Sequence, residues 1–478
     1  MTSYTDIISR RRHQAIATGF DVDESTLCES AFDYQKSIVR WAIHKGKACI
    51  FADCGLGKSL MLLMWADAVS KRTGKRVLVL CPIAVGKQLE KEAERFGIEG
   101  VGYVRTPDDI RTRIIITNYE RMHLFASVDI GGVVCDESSI IKGIDSKTKT
   151  QVLTQFQSVP FRLACTATPA PNDHIELGNH SEFVGAMKSS HMLATFFTHD
   201  GGETSKWRLR GHAENRFWEW VASWAVMCRT PADLGFDGSR FVLPELTIRE
   251  HILPSVSCKG RLFATDAVTL DEQRQVRRET IPQRTEKVAE IVRESSPHIV
   301  WCNLNDESKS AAEALADIGG VEVTGSQDEE VKTSRLEGFS EGRHPVIVSK
   351  PSLSGFGLNW QHCADMTFFG LSHSWEEFYQ AVRRCYRFGQ TRPVTVNVVL
   401  SEREIVILDN IKRKQDDAEK MANGMVEAMK GFSQRELGLA RSGNEYNPQF
   451  RMELPKWLSA SSRTPEAIGQ CSMETAAN

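Results

Sequence analysis

The run Ala52-Asp53-Cys54-Gly55-Leu56-Gly57-Lys58-Ser59 has the residue types and spacing to hold phosphate. Its glycines let successive backbone N–H groups turn toward phosphate oxygens, and a helix opening at the end of the loop adds positive potential. In such a loop Lys58 reaches the β and γ phosphates of ATP and Ser59 helps to hold Mg²⁺. Ala52 stands where the general pattern has glycine. A G-x-G-K-S string also occurs in ordinary loops by chance, so its context decides. Here an apolar run, Ala48–Phe51, precedes it and a helical pattern, Leu60–Val69, follows.

A nucleotide site also needs an acidic partner for the metal and a group that orients water. Gly132-Val133-Val134-Cys135-Asp136-Glu137 offers both at the end of an apolar run. Asp136 is the candidate Mg²⁺ ligand and Glu137 the candidate base for the attacking water. An Asp-Glu pair alone has little weight, because such pairs also open helices. Its position after a buried strand that follows a phosphate loop is what singles it out.

These residues need a scaffold that presents strand ends to one cleft. From about Ala31 to Phe183 short apolar runs alternate with amphipathic helical patterns, and Ala48–Phe51, Val77–Cys81, Arg113–Thr117, Gly132–Cys135 and Arg162–Cys165 read as buried strands. Helices between them imply crossover connections and a mainly parallel sheet. A second series runs from Gln283 to Leu408, with strands expected at His298–Cys302, Val321–Thr324, Val346–Ser349, Met366–Phe369 and Val394–Val399. The fold class expected is therefore α/β, as two mainly parallel sheets flanked by helices. The domains expected are 1–30 (an extension), 31–184 (the first lobe), 185–282 (helices and a linker), 283–410 (the second lobe), and 411–478 (a helical extension with a disordered Ser/Thr-rich tail).

The string Gln380-Ala381-Val382-Arg383-Arg384-Cys385-Tyr386-Arg387-Phe388-Gly389-Gln390 makes the chain resemble superfamily-two helicases, most of all the Swi/Snf-like ATPases and compact bacteriophage relatives of DEAD/DEAH-box type. The resemblance runs in order over most of Ala31–Leu400. It implies two RecA-like P-loop lobes and an ATP-dependent DNA helicase or translocase. It also implies that Arg384 and Arg387 face the γ phosphate from the second lobe. A helical i, i+3 spacing would put both on one face. Phe32-Asp33-Tyr34-Gln35 is similar to the helicase glutamine motif, in which Gln35 reads the adenine edge. Thr166 and Thr168, in Cys165-Thr166-Ala167-Thr168-Pro169, fall in the motif that couples hydrolysis to strand contact, though threonines there can also simply cap a turn. Pro82 and Asn118 in the first lobe, and Gly355, Gly357, Asn359 and Gln380 in the second, fall where relatives contact nucleic acid or couple to it. The acidic motif continues Ser138-Ser139, not the Ala-His common in the family, so the usual histidine's role has no counterpart at that position.

Composition fits a globular chain. The 478 residues are 41% hydrophobic and 25% charged, with a net charge of −3 that does not itself advertise a polyanion binder. The local cluster Arg383, Arg384, Arg387 and Arg392, followed by Lys412, Arg413 and Lys414, is the suggestive positive stretch. Twelve cysteines without a C-x-x-C pair read as buried thiols and not as a zinc site. His199, His212 and Cys228 fit no metal spacing. No apolar run is long enough to span a bilayer, and Met1–Arg12 has no apolar segment after its arginines, so a cytoplasmic location (the host's, if phage-encoded) is expected with no membrane partner. The Trp-rich stretch Trp218, Trp220 and Trp224 reads first as a buried helix, with stacking on unpaired bases as the alternative. The partner expected is nucleic acid, DNA foremost, along with a replication, recombination or nuclease protein. Two other readings stay open: a duplex translocase or nuclease-system motor that does not separate strands, and an ATP-gated DNA clamp with negligible turnover.

Overall fold

The structure is a computed structural model that describes residues 14–439 apart from 142–146, 172, 201–202, 255–277 and 355–358. The candidates Gly355 and Gly357, the region before residue 14 and the tail after Leu439 lie outside the described residues.

The apolar runs of the first half form a seven-stranded, all-parallel sheet in the order β3-β4-β2-β5-β6-β1-β9. Its strands are β1 (Lys47–Ala52), β2 (Arg76–Cys81), β3 (Val101–Tyr103), β4 (Ile114–Asn118), β5 (Ile130–Asp136), β6 (Phe161–Thr166) and β9 (Ala225–Cys228). Runs such as Ile114-Ile115-Ile116 are buried along their whole length, as strands covered by helices on both faces must be. One face packs under the helices Asp33–Lys45 and Lys58–Thr73; the other packs against the helices Leu177–Val184 and Glu214–Ala222. Every strand of a parallel sheet ends on the same side, so the loops after β1, β5 and β6 open onto one rim.

The second half forms a six-stranded, all-parallel sheet in the order β10-β15-β14-β11-β13-β12. Its strands are β10 (Leu246–Leu253), β11 (His298–Cys302), β12 (Gly320–Val323), β13 (Val346–Ser349), β14 (Asp365–Phe369) and β15 (Val394–Ser401). The two α/β lobes are thus present, and most expected strands lie within a residue or two of their observed ends.

The segment between them contains more than helices and a linker. It also folds an antiparallel hairpin, β7 (Phe197–Asp200) with β8 (Glu203–Leu209), and gives each sheet an edge strand, β9 to the first and β10 to the second. In the helix Glu214–Ala222, Trp218 and Trp220 are buried, as is Trp224 just beyond it, so these rings are core and present no face to an unpaired base.

The helix Ile405–Glu436 ties the halves together. Ile407, Leu408, Ile411 and Ala418 sit in the core of the second lobe, whereas Met425, Val426 and Met429 sit in the core of the first. Lys45 pairs with Glu436 at 2.7 Å near its end. Replacing Met425 and Met429 together by Ala is expected to cost about 2–5 kcal/mol per site in the first lobe. A thermal unfolding scan should then show the first lobe's transition lowered, while a smaller shift in the second lobe's marks the loss of the tie.

Candidate functional site

The phosphate-type loop follows β1 and turns into the helix Lys58–Thr73 through two left-handed glycines, Gly55 (φ 89°) and Gly57 (φ 73°). Both are required by contact as well as by angle. A Cβ on Gly57 would lie 2.3 Å from Gln35 Nε2, and one on Gly55 would lie 2.7 Å from the Phe388 nitrogen. The second of these neighbours belongs to the second lobe, so the loop is squeezed between a first-lobe helix and the loop that carries Arg387. Lys58 Nζ donates to the carbonyls of Ala52 (2.8 Å) and Asp53 (3.4 Å), which folds it back over its own loop. Ser59 is partly exposed beside it.

Gln35 is spent on the loop itself. Its Nε2 donates to the Leu56 carbonyl at 3.0 Å and its Oε1 accepts from the Phe32 nitrogen at 3.0 Å, with Tyr34 Oη joining at the same Leu56 carbonyl (2.8 Å). In this arrangement the amide shapes the phosphate loop.

Asp53 anchors the lobe contact. Buried to 7% exposure, it pairs with Arg383 at 2.6 Å, accepts Tyr379 Oη at 2.5 Å, and accepts the Cys54 N–H at 2.6 Å. Burial alone would raise its pKa, but the Arg383 charge and these hydrogen bonds outweigh it and hold the carboxyl below its usual range. Arg383 also lies against the rings of Tyr379 and Tyr386. Neither Tyr379 nor Arg383 stands out by sequence reasoning as a site residue; Arg383 reads there as part of a positive surface, and it is buried.

The helix Trp375–Val382 ends before the arginines, and Arg383–Gly389 is a chain of tight turns. Arg384 and Arg387 therefore do not share a helical face, which corrects the expectation from spacing. The turns are held by Gln390, whose Nε2 donates to the carbonyls of Gln361, Cys363 and Cys385. Arg384 is 2% exposed and donates to the Gln380 carbonyl (2.9 Å) and to its Oε1 (3.1 Å). Burial lowers its pKa to about 10, with the charge of Arg387 adding to the fall and those of Cys54 and Glu137 opposing it. Arg387 is half-buried, its Cβ packed toward Gly55. Gln380 is fully buried, so it holds Arg384 and offers no surface to nucleic acid.

At the end of β5, Asp136 and Glu137 are 5% and 8% exposed. Burial and the neighbouring Glu137 push the Asp136 carboxyl up to about 7, against the pull of Lys58. Glu137 Oε2 is buried without a hydrogen-bond partner and faces a cavity of about 1000 Å³ between the lobes. Pro82 and Tyr119 line that cavity from the first lobe and Glu329, Asn359 and Glu376 from the second. Asn359 Oδ1 is also buried and unpartnered. Thr168 crosses the cleft, donating to Glu376 at 3.2 Å, while Thr166 Oγ1 accepts the Thr168 N–H at 3.1 Å. Asn118 instead caps the turn after β4 through the Arg121 N–H (3.0 Å). Among the described residues no cluster of His, Cys, Asp and Glu could hold a metal by itself, and no helix is long and apolar enough to cross a membrane.

Residues 34–199 match the family model of the SNF2-related domain, a stretch within which the Swi/Snf-like resemblance also falls. No curated protein matches the chain. Among solved structures the chain is similar to the Sulfolobus solfataricus SWI2/SNF2 ATPase core in complex with dsDNA. The two are 18% identical, with 87% of this chain and 98% of that chain covered and a TM-score of 0.40.

Asp136 is protonated more readily folded than unfolded, because its folded value of about 7 lies above the ordinary 3.8. Its ionisation therefore subtracts stability as pH rises from about 4 through 7. Asp136→Asn is expected to stabilise the protein by about 1–3 kcal/mol at pH 8, measured without Mg²⁺ or nucleotide, by roughly a third of that at pH 5, and by little below pH 4. Denaturant titrations at these pH values check both the size and the sign.

Proposed function

We propose that the protein is an ATP-hydrolysing motor that moves on DNA, with its nucleotide held between the two lobes. The observation that carries this reading is the convergence of buried, mutually dependent charges at the lobe contact. The phosphate loop, Asp136 and Glu137 come from the first lobe and Arg384 and Arg387 from the second. A buried carboxyl driven up by its own neighbour and an unpartnered Glu137 oxygen suit a site that takes up a cation and a water. Ser59 and Asp136 would hold Mg²⁺, which supplies positive charge against phosphate oxygens when bound.

The chain's own residues divide the rest of the work. Lys58 exchanges its two backbone carbonyls for phosphate oxygens, and the N–H groups of Gly55–Ser59 hold the phosphates. Glu137 orients the attacking water and accepts its proton. Arg384, already starved of solvent, and Arg387 stabilise charge on the leaving phosphates. A group of this kind contributes about 10³–10⁵ in rate in related phosphoryl transfer. Because these arginines come from the second lobe, turnover requires the lobes to be closed and product release favours opening, and this alternation can shift a grip on nucleic acid.

The cavity beyond Glu137 is the expected path for the strand, yet glutamates outnumber cations along it. Lobe-crossing pairs tie up one of those cations, Lys91 with Glu337 (2.9 Å), and also Arg121 (3.0 Å) and Arg105 (3.4 Å), which pair with the lining carboxylate Glu329. A polyanion entering here competes with these carboxylates, so affinity is expected to fall steeply with salt.

Steady-state ATP hydrolysis with no polymer, single-stranded DNA, duplex DNA or RNA tests the reading. Stimulation by DNA that is lost in Lys58→Ala and Arg387→Ala is the expected result. Glu329→Gln with Glu337→Gln should lower the DNA concentration needed for half-maximal stimulation. Background turnover with every polymer, while ATP still binds, would leave a clamp in place of a motor. Displacement of a forked strand against displacement of a triplex strand then separates a helicase from a duplex translocase.

A further inference from the structure

Glu137 has a φ of 49°, and among the described residues no other non-glycine residue has a positive φ. That conformation is disfavoured for a side chain with a Cβ, on the order of 1 kcal/mol, and persists only where neighbours impose it. The residues after it supply the constraint. Ser138 is fully buried, with Oγ 3.0 Å from His180 Nε2, and His180 is itself fully buried on the helix Leu177–Val184. From the same helix, Asn179 Nδ2 donates to the Ile141 carbonyl at 3.1 Å, at the far end of the turn Ser138–Ile141. His180 also meets the ring of Phe51 edge-on, with centroids 5.2 Å apart, and Phe51 is the penultimate residue of β1 before the phosphate loop. One imidazole therefore touches the segment next to Glu137 and the strand that leads into the phosphate loop.

We propose that His180 is a positioning residue for Glu137. Through Ser138 it holds the strained turn so that the Glu137 carboxylate points into the cleft, in fixed register with the phosphate loop. The inference rests on the reading of Glu137 as the group that orients water. His180 does not touch the reacting atoms; it acts by fixing the direction of a carboxylate whose Oε2 has no hydrogen bond of its own to hold it. The Ser138 hydroxyl and the imidazole nitrogen can each donate, so the contact survives either tautomer. A glutamine at position 180 can replace the imidazole nitrogen with an amide of similar reach.

The test compares the full chain with Ser138→Ala, His180→Ala, His180→Gln and the Ser138→Ala/His180→Ala double variant. Each is measured for kcat and KM of ATP hydrolysis at saturating DNA and for thermal unfolding. A misplacement of about 1 Å costs on the order of 100-fold in rate. His180→Ala is therefore expected to lower kcat by about 10- to 100-fold while KM for ATP stays within about 3-fold. His180→Gln should recover most of the loss, and Ser138→Ala should add nothing once His180 is gone. Unchanged kcat in a folded His180→Ala protein overturns the inference, as does multiplicative loss in the double variant, or a loss in Gln as large as in Ala at equal stability. A parent protein that shows no turnover sinks the motor reading and this inference together, whereas the variant results sink the inference alone.

Discussion

A single buried ion pair, Asp53 with Arg383, sets the terms on which the two lobes meet. Two charges out of water are tolerated only when matched and hydrogen-bonded, and removing one partner leaves the other stranded at a cost of about 3–5 kcal/mol. Asp53 lies inside the phosphate loop and Arg383 sits next to Arg384, so the pair fixes the distance between the two halves of the site. Tyr379 and the Cys54 N–H complete the hydration that Asp53 has given up. The exclusion of a side chain at Gly55, where a Cβ would run into the Phe388 backbone, follows from the same closeness.

Around that pair the site is made of groups left short of partners. Lys58 satisfies itself on backbone carbonyls, Asp136 is driven toward its neutral form, and Glu137 keeps an oxygen without a hydrogen bond. Arg384 is buried and engaged by Gln380. Each deficit has the sign that phosphate, a cation and a water would relieve, so binding energy at this site is coupled to lobe closure. The helix Ile405–Glu436, packed into both cores, limits how far the lobes can part, and movement must be accommodated along it or at its ends.

The sheets were legible in the sequence because strands covered on both faces are continuous apolar runs, and Ile114–Ile116 or Val346–Val348 admit no other burial. The phosphate loop and the acidic pair were legible for a related reason: their chemistry needs consecutive residues. Strand β9 hides within a stretch of tryptophans and apolar residues that reads equally well as helix. Strand β10, Leu246–Leu253, is a half-exposed edge with charges along it and lacks a core strand's pattern. The lobe contact was illegible because it joins residues far apart in the chain, 208 positions for Thr168 and Glu376 and 326 for Tyr379 and Asp53. Arg383 looked like positive surface because sequence carries no sign of the carboxylate that buries it. The i, i+3 spacing of Arg384 and Arg387 misled because the helix stops at Val382. Gln35 shows a further limit: its motif was visible, but that both ends of its amide are engaged by backbone was not.

The most direct measurement of the central claim is a double-mutant cycle on Asp53→Asn and Arg383→Gln, read in kcat of DNA-stimulated ATP hydrolysis. If the pair holds both halves of one site in register, the single variants lose most of the rate and the double variant loses little more. The coupling energy would then be about 1–3 kcal/mol. Losses that simply multiply, with no coupling, would mean that the two residues act independently, and the account of a nucleotide site built across this lobe contact would be wrong.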